Sequence, residues 1–282
     1  MEVVTKIAPI ALALIMLGLG LGLTGRDFLR VINYPKDFLV GFICQLILLP
    51  VVAFIIVLIL DLPIEIALGV MIIAAAPGGV TSNVMTKFAN GDVALSISLT
   101  AIISLISIIS VPFIIFKSAD LLGISNISTN ITMTGIAFKM ALVVTVPVIL
   151  GMIIRKFAEN FITSNISTIE RITTLLFIIV FASIWIEERE NIFTYLKQAG
   201  LAVLILNIIM MLIAYYVAKL IATGIKQRKC IAIECGLQNG TLAIFVATQI
   251  FSDISYIIPT AAYALIMYIT GFILIFILRR SN

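Results

Sequence analysis

The sequence contains no histidine and few charged residues. Charged side chains make up 11% of the 282 residues, whereas 62% of the residues are hydrophobic. Without histidine, the chain has no histidine metal ligand, no Ser-His-Asp triad and no histidine proton relay. A water-soluble domain of this size needs more charge to cover its surface, and the mean hydropathy of +1.25 indicates that lipid is the solvent.

Cysteine is also scarce. The three cysteines, Cys44, Cys230 and Cys235, fit neither a disulfide framework nor a zinc cluster. We therefore interpret them as small packing residues inside apolar segments.

Long apolar runs dominate the rest of the chain. A spanning helix needs about 20 mostly apolar residues, so the chain has room for roughly nine or ten spans. Polar or helix-breaking clusters divide it into nine segments, which are Val3–Leu23, Phe38–Leu60, Ile64–Thr86, Val93–Phe116, Ile131–Ile154, Ile166–Ile186, Tyr195–Ile221, Cys230–Ile250 and Tyr256–Leu278. The sequence thus predicts an all-α polytopic membrane protein with nine transmembrane helices and little chain left for a soluble domain.

Basic residues are distributed unequally between the two sets of segment ends. Of the 18 lysines and arginines, thirteen fall at one set of ends, namely Arg26, Arg30, Lys36, Lys87, Arg155, Lys156, Arg171, Lys219, Lys226, Arg228, Lys229, Arg279 and Arg280. The other five are Lys6, Lys117, Lys139, Arg189 and Lys197. Because cytoplasmic loops carry an excess of basic residues, this bias predicts an outside N-terminus and a cytoplasmic C-terminus in the cell (inner) membrane.

Two of the nine segments contain helix-breaking and polar residues near the middle. The third meets Pro77-Gly78-Gly79 and then polar residues as far as Asn83, and the eighth is interrupted from Glu234 to Gly240. Proline removes a backbone donor, and glycine favours non-helical backbone. Unwound backbone at membrane depth persists only where it is buried in protein or lines a wet cavity. Two such breaks in the two halves are typical of a transporter binding site made from inverted repeats.

Glu234 is the acidic residue that lies clearly inside a predicted span. An intramembrane carboxylate costs a few kcal/mol to insert and typically marks an ion or proton path. No lysine or arginine lies in the centre of a span, so a cation from solution is its expected partner. Ser82 and Asn83 at the first break supply hard oxygen ligands, as do Ser96 and Thr100, which share one face of the fourth span.

Other function classes fit the sequence less well. A buried glutamate can also take up a proton, so a proton-coupled organic-anion transporter is the alternative that stays open. An intramembrane enzyme needs two facing carboxylates or a magnesium-binding acidic cluster, and Glu234 alone supplies neither. A channel needs a selectivity-filter repeat or a charged ring, which the sequence lacks. We therefore expect the protein not to be an enzyme.

Three separated motifs resemble the signatures of the bile acid:sodium symporter family. The first runs from Pro77 to Thr86 and continues from Gly91 to Thr100. The second is Glu234 to Asn239, and Gln45 stands where the family places a glutamine. The motifs agree with the family in order and spacing over nearly the whole chain. This resemblance implies sodium:organic-anion symport by alternating access, with two sodium ions for each small carboxylate or bile-acid-like anion.

The resemblance also implies two sodium sites beside a crossing of the two broken helices. The first site would use the side chains of Ser82, Asn83, Ser96, Thr100 and Glu234. The second would use Gln45, Glu234, Gln238 and the backbone carbonyls of Cys235 and Leu237. Sodium is thus the expected coupling ion, and the lipid bilayer and an organic anion are the other expected partners of a monomer.

The family fold implies a division of the chain into two inverted repeats. The first repeat would be residues 1–128, with four helices and a break at 77–83. The second would be residues 129–282, with five helices and a break at 234–240. Spans two, three, four, seven, eight and nine would form a core domain that contains the crossing, and spans one, five and six would form a separate panel domain.

The last span departs from the family in a way that bears on the substrate. Met267 and Tyr268, the residues of this span expected to contact the substrate, stand where bile-acid-binding bacterial relatives carry a His-Asn pair, which argues against a steroid-type contact. The backbone amides near Val80 and Thr81, together with Asn239, are expected to receive a carboxylate, since a half-helix N-terminus attracts anions. A small pantoate-like or keto-acid metabolite fits these residues better.

Overall fold

The computed structural model describes residues 2–124, 131–187, 192–221 and 223–280. Within those residues the regular structure is helical, and the α-helices are α1 (Glu2–Gly22), α2 (Gly25–Asn33), α3 (Pro35–Ile43), α4 (Leu49–Ile59), α5 (Ile64–Ala75), α6 (Val80–Phe88), α7 (Val93–Leu121), α8 (Met133–Met140), α9 (Val146–Phe157), α10 (Glu159–Glu187), α11 (Ile192–Leu220), α12 (Ile225–Gly236), α13 (Gly240–Ile250) and α14 (Ile258–Arg280). Two π-helical turns, Cys44–Leu48 and Ala141–Thr145, join α3 to α4 and α8 to α9.

The all-helical, membrane-spanning character predicted from the sequence is confirmed. In the described part of the chain, six helical rods are long and apolar enough to cross a membrane, or seven if the bent pair α1 and α2 is one span. This count is lower than the predicted nine because α5 and α13, at 12 and 11 residues, are each too short to cross alone.

Both predicted interruptions are present, but each is shorter than expected. Helix α5 ends at Ala75 and α6 begins at Val80, so the first break is shorter than the expected 77–83. The second lies between α12 and α13 and is shorter than the expected 234–240. Proline ends a helix at the residue before it, but nothing prevents a new helix from starting one turn later. The polar residues flanking each break therefore lie on helix ends rather than in loops.

The broken helices form the centre of the protein. Every residue from Ile66 to Ala75 is buried, as is the whole stretch 229–247. A helix that is apolar on all sides is expected in an interior, and α5 contacts α4, α7, α13 and α14. By contrast, only 11% of the most apolar 18-residue stretch of α10 is buried, so most of its surface faces outward.

Glycine allows α1 to pack closely against α9. A Cβ atom at Gly20 would collide with the carbonyl oxygen of Val148, and one at Gly151 would collide with that of Leu17. The same helix packs on α10 and, more lightly, on α13. Helices α1, α9 and α10 thus form one packed group, while α11 packs mainly on α12 and α14.

Helix α2 was not anticipated from the sequence. It is short and amphipathic, and it bends by 79° from α1. Asp27 accepts hydrogen bonds from the backbone and the hydroxyl of Thr24, both at 2.7 Å, which caps the first turn. Ser98 on α7 donates to the Asp27 carbonyl at 2.8 Å and fixes α2 against the rest of the protein.

Candidate ion and substrate site

The two breaks cross each other and pair through their backbones. The Gly79 N–H donates to the Leu237 carbonyl at 3.2 Å, and the Asn239 N–H donates to the Pro77 carbonyl at 2.8 Å. A Cβ at Gly78 would collide with Glu234 Oε2, so any larger residue here would have to displace the Glu234 carboxylate. The pairing satisfies backbone groups that could not otherwise be buried.

Three hydroxyl groups surround the Glu234 carboxylate, which is fully buried. Ser82 Oγ donates to Glu234 Oε1 at 2.5 Å, and Ser96 Oγ donates to the same oxygen. Thr100 Oγ1 donates to Oε2 at 3.0 Å. Asn83 joins the cluster through its Oδ1, which lies 2.8 Å from Ser96 Oγ. The structure therefore brings together all five side chains of the predicted first sodium site.

The start of α7 is fixed to the start of α12, which sets the depth of this cluster. Asp92 caps α7 by accepting from the Leu95 N–H at 3.0 Å, and it also accepts from Gln227 Nε2 at 2.8 Å. Counting from these two bonded residues, Thr100 lies eight residues after Asp92 along α7, and Glu234 lies seven residues after Gln227 along α12. At about 1.5 Å per residue, both travel roughly 10 to 12 Å and reach the same level.

The predicted second site is assembled around the main-chain carbonyl of Glu234. Gln45 Nε2 lies 3.2 Å from this carbonyl and 3.3 Å from Gln238 Oε1. Gln238 Nε2 donates to the Cys235 carbonyl at 3.0 Å, while the Leu237 carbonyl receives the backbone bond from the first break. Gln45 itself belongs to a π-helical turn, a feature that is frequent at functional sites.

The side-chain oxygen of Gln45 is one of eight buried side-chain atoms without a hydrogen-bond partner among the described residues, and it is the one of them that lies in a predicted ion site. Gln45 Oε1 is buried and has no hydrogen-bond partner in the described part of the protein. A buried polar atom left unpaired costs about 1–3 kcal/mol. An oxygen in this position suits a cation, because hard cations are bound by carboxylate, amide, hydroxyl and carbonyl oxygens.

A small cavity of about 30 Å³ lies where the N-termini of α6 and α13 meet α1, α10 and α14. Four of the five residues predicted to contact the substrate line it, namely Val80, Thr81, Asn239 and Tyr268. The Tyr268 hydroxyl donates to Thr81 Oγ1 at 3.3 Å. Met267 does not line this cavity but is buried in the apolar core, since adjacent residues on a helix point about 100° apart.

Asn239 also has a structural role at this cavity. It is the N-cap of α13, and its Oδ1 accepts a hydrogen bond from the Leu242 N–H at 3.0 Å. This bond occupies the oxygen, which leaves the NH₂ group as the part of the side chain able to donate to an anion.

Helix α10 contributes residues that the sequence did not single out. Thr173, Thr174 and Phe177 line the same small cavity. A pair of threonines inside an apolar run was a weak signal, because isolated hydroxyls in membrane helices usually bond their own backbone. Both hydroxyls do bond the Glu170 carbonyl, at 2.9 and 2.8 Å.

A wider cleft connects the site region to one end of the protein. Its volume is about 410 Å³, and its lining includes Val80, Asn83, Lys87, Arg155 and Glu170. A separate cavity of about 590 Å³ at the opposite end is lined by residues 65, 131 and 248–253 and by residue 256, none of them a predicted site residue. In this conformation the described cavities therefore reach the site from one end.

Comparison with known protein families decides the class of the protein. The family model described as Sodium Bile acid symporter family matches residues 9–195, about two thirds of the chain and including the first break. The chain belongs to this family. The resemblance inferred from its motifs is confirmed.

Individual relatives in the sodium bile acid symporter family align over nearly the whole chain, including the second break. The uncharacterized sodium-dependent transporter YocS of Bacillus subtilis (strain 168) is 32% identical over 273 residues, which are 95% of this chain and 81% of that protein. The probable chloroplastic sodium/metabolite cotransporter BASS1 of Arabidopsis thaliana is 28% identical over 96% of this chain and 66% of its own length. The ileal sodium/bile acid cotransporter of Oryctolagus cuniculus is 26% identical over 90% of this chain and 73% of its own.

These relatives bear on the class of activity. All three are named as transporters or cotransporters and none as an enzyme. The prediction that the protein is not an enzyme is confirmed, and the intramembrane enzyme is rejected.

Proposed function

We propose that the protein imports a small organic carboxylate together with two sodium ions across the cell (inner) membrane. The observation that carries this proposal is the buried Glu234 carboxylate, which receives three hydroxyl hydrogen bonds at the crossing of two broken helices. No basic side chain of the described residues pairs with it. A carboxylate at such depth is costly unless a cation balances it.

Glu234 would serve both ions through different oxygens. Its carboxylate, with Ser82, Asn83, Ser96 and Thr100, would hold the first sodium ion. The second ion would bind on the other side of the break, at the carboxylate, at Gln45 and Gln238, and at the carbonyls of Cys235 and Leu237. The unpaired Gln45 Oε1 supports this assignment, because it is an oxygen that a cation would satisfy.

The substrate would be a small carboxylate bound at the two half-helix N-termini. The N-termini of α6 and α13 present their positive dipole ends to the same cavity, and Asn239 adds its NH₂ group. The rings of Phe177 and Tyr268, with centroids 6.0 Å apart, narrow the space. In this conformation the cavity of about 30 Å³ has room for only about two water molecules, so it would have to widen for either anion, and a small pantoate-like or keto-acid anion needs less widening than the bile acid for which the rabbit relative is named.

Nine spans account for the helices best, with the termini on opposite sides. Six rods and α1 cross singly, and the pairs α5–α6 and α12–α13 each cross as one broken span. Contacts between helices agree with the charge sorting: Lys139 donates to Gln249 at 2.9 Å at the proposed outer end, and Arg155 to the Leu21 carbonyl at 2.9 Å at the inner end. Arg189, one of the five outer basic residues, lies outside the described residues.

The helix packing supports the proposed core and panel domains. Residues 1–128 and 129–282 would be the two inverted repeats of four and five helices. The group α1, α9 and α10, with α8, would be the panel, and the remaining spans, including the crossing, would be the core of a monomer. The one-ended cleft between α6, α7 and this group supports alternating access, because rocking of the panel would close this end and open the other.

Two sodium ions are energetically sufficient for import. Each cycle with a monovalent anion would carry one net positive charge inward, worth about 2.3 kcal/mol at 100 mV. A tenfold sodium gradient adds about 1.4 kcal/mol for each ion. The sum, roughly 5 kcal/mol, would concentrate the anion by more than three powers of ten.

Uptake into proteoliposomes tests this proposal. A sodium gradient and a pH gradient are imposed separately over a panel of small carboxylates and bile acids, with choline replacing sodium as the control. We expect sodium-driven uptake of a small carboxylate accompanied by an inward positive current. Uptake driven by the pH gradient alone would favour the proton-coupled alternative, and sodium-driven uptake without current would refute two ions per monovalent anion.

A further inference from the structure

A second buried polar cluster lies behind the break between α12 and α13, away from the proposed ion sites. Asn207 on α11 donates from Nδ2 to the Gly236 carbonyl at 2.7 Å and lies 3.0 Å from the Tyr263 hydroxyl. That hydroxyl is also 3.0 Å from the Gly236 carbonyl. Thr270 Oγ1 lies 2.5 Å from Asn207 Oδ1. Asn207 and Tyr263 are fully buried, so water cannot replace any of these bonds.

The cluster pairs a buried backbone carbonyl at the end of α12. Gly236 is the last residue of that helix, and its carbonyl is one of the four that lack an intrahelical partner. Left unpaired at this depth, such a group costs about 1–3 kcal/mol. Helix α11 is close enough to supply the partner, because a Cβ at Gly236 would lie 2.5 Å from Met211 Cγ on that helix.

Holding this carbonyl fixes the direction of its neighbours. Leu237 is extended, with φ −112° and ψ 99°, and successive groups along extended backbone point to opposite sides. With the Gly236 carbonyl held toward α11 and α14, the Leu237 carbonyl faces the other break, where it accepts the Gly79 N–H at 3.2 Å. Two residues before Gly236, the Glu234 carbonyl accepts a hydrogen bond from Gln45 Nε2 at 3.2 Å on the opposite side of the helix.

Two amides therefore hold the end of α12 from two different helices. We propose that Asn207, oriented by Thr270, is a positioning residue that aims the backbone carbonyl of Leu237 into the proposed second sodium site. It does not touch the ion. This inference rests on the proposed function, and it extends the site to a helix and a residue that supply no ligand.

Sodium-dependent thermal stabilisation of the purified full chain tests the inference. The variants are Thr270→Val and Tyr263→Phe, which remove single hydroxyls while keeping shape, and Asn207→Ala. We expect the sodium concentration for half-maximal stabilisation to rise roughly fivefold in Asn207→Ala, equivalent to about 1 kcal/mol, and less in the other two. The Hill coefficient for sodium should fall toward one.

A merely structural role would give a different pattern. It would lower the melting temperature equally in sodium and in choline, and leave the sodium half-saturation and Hill coefficient as in the unmodified protein. That result in both Thr270→Val and Asn207→Ala would overturn the inference. If Asn207→Ala does not fold, the same result in Thr270→Val and Tyr263→Phe would overturn it instead. Tyr216→Phe, on the exposed face of α11, is the matched control. An unmodified protein that sodium does not stabilise would overturn the proposed function as well.

Discussion

Replacing Glu234 by glutamine tests the centre of the proposed site. Glutamine keeps the shape and one acceptor oxygen, and its NH₂ group can donate to Thr100 Oγ1, which lies 3.0 Å from the present carboxylate oxygen. The fold should therefore persist. The charge, however, is lost from a position that is fully buried.

The expected loss of sodium binding is large. A unit charge pair at 4 Å is worth about 4 kcal/mol at an effective dielectric constant of 20, and this energy corresponds to roughly three powers of ten in affinity. Sodium at 100 times its dissociation constant stabilises a protein by about 2.7 kcal/mol per site. Glu234→Gln should lose this stabilisation at both proposed sites, because the proposal has both share the carboxylate.

The assay is thermal unfolding in detergent, compared in sodium chloride and choline chloride at equal ionic strength. We expect sodium to raise the melting temperature of the unmodified protein and not that of Glu234→Gln. Glu65→Gln, in the first turn of α5 and outside the site, is the matched control and should respond to sodium normally. Undiminished stabilisation of Glu234→Gln by sodium would refute the reasoning.

Three further predictions concern the site, the packing and the topology. Ser96→Ala should weaken the first sodium site and lower the Hill coefficient of transport toward one, because it removes a ligand hydroxyl that contacts Glu234. Gly20→Ala should lower the melting temperature, by an amount corresponding to about 1–3 kcal/mol, because the new Cβ would collide with the backbone of α9. In a cysteine-free background, a cysteine replacing Asp120 should be labelled in intact cells, and one replacing Lys36 only after permeabilisation.

Each of these predictions has a matched control or a contradicting outcome. Ser107→Ala removes a buried hydroxyl on the same helix whose one bond to a described residue goes to the Ser104 carbonyl, and it should leave the Hill coefficient unchanged. Gly22→Ala should be tolerated, because its added Cβ would lie more than 4 Å from every described residue beyond its chain neighbours and its own helix backbone. A transport coefficient of one in the unmodified protein would defeat the two-site proposal, and the reverse labelling pattern would defeat the orientation.

Local features of the sequence were enough for the membrane class, the two helix breaks and the candidate ion ligands. The length and continuity of the apolar runs show directly that lipid surrounds the helices. Pro77 and the glycines that follow it end a helix in any surroundings. Glu234 could be recognised because a carboxylate inside an apolar run is rare. The short motifs also contained the family resemblance, since Ser82, Asn83, Glu234 and Gln238 lie at or within a few residues of a break.

The sequence could not show how helices far apart in the chain meet. Ser82 and Glu234 are 152 residues apart, and their 2.5 Å contact depends on the crossing of two helix pairs. Helix α2 was missed because its polar start reads as a loop. Met267 was misassigned because only the packing of α14 decides which of two neighbours faces a cavity.

Asn207 shows the limit of the sequence most clearly. An asparagine within an apolar run carries no local sign of what it bonds, and its partner is a carbonyl 29 residues away. Composition and breakers thus determined that the chain spans a membrane and where its helices unwind, because those are properties of each segment. Tertiary structure alone decided which oxygens converge and which amides hold them, because hydrogen bonds at these distances exist only after the helices have packed.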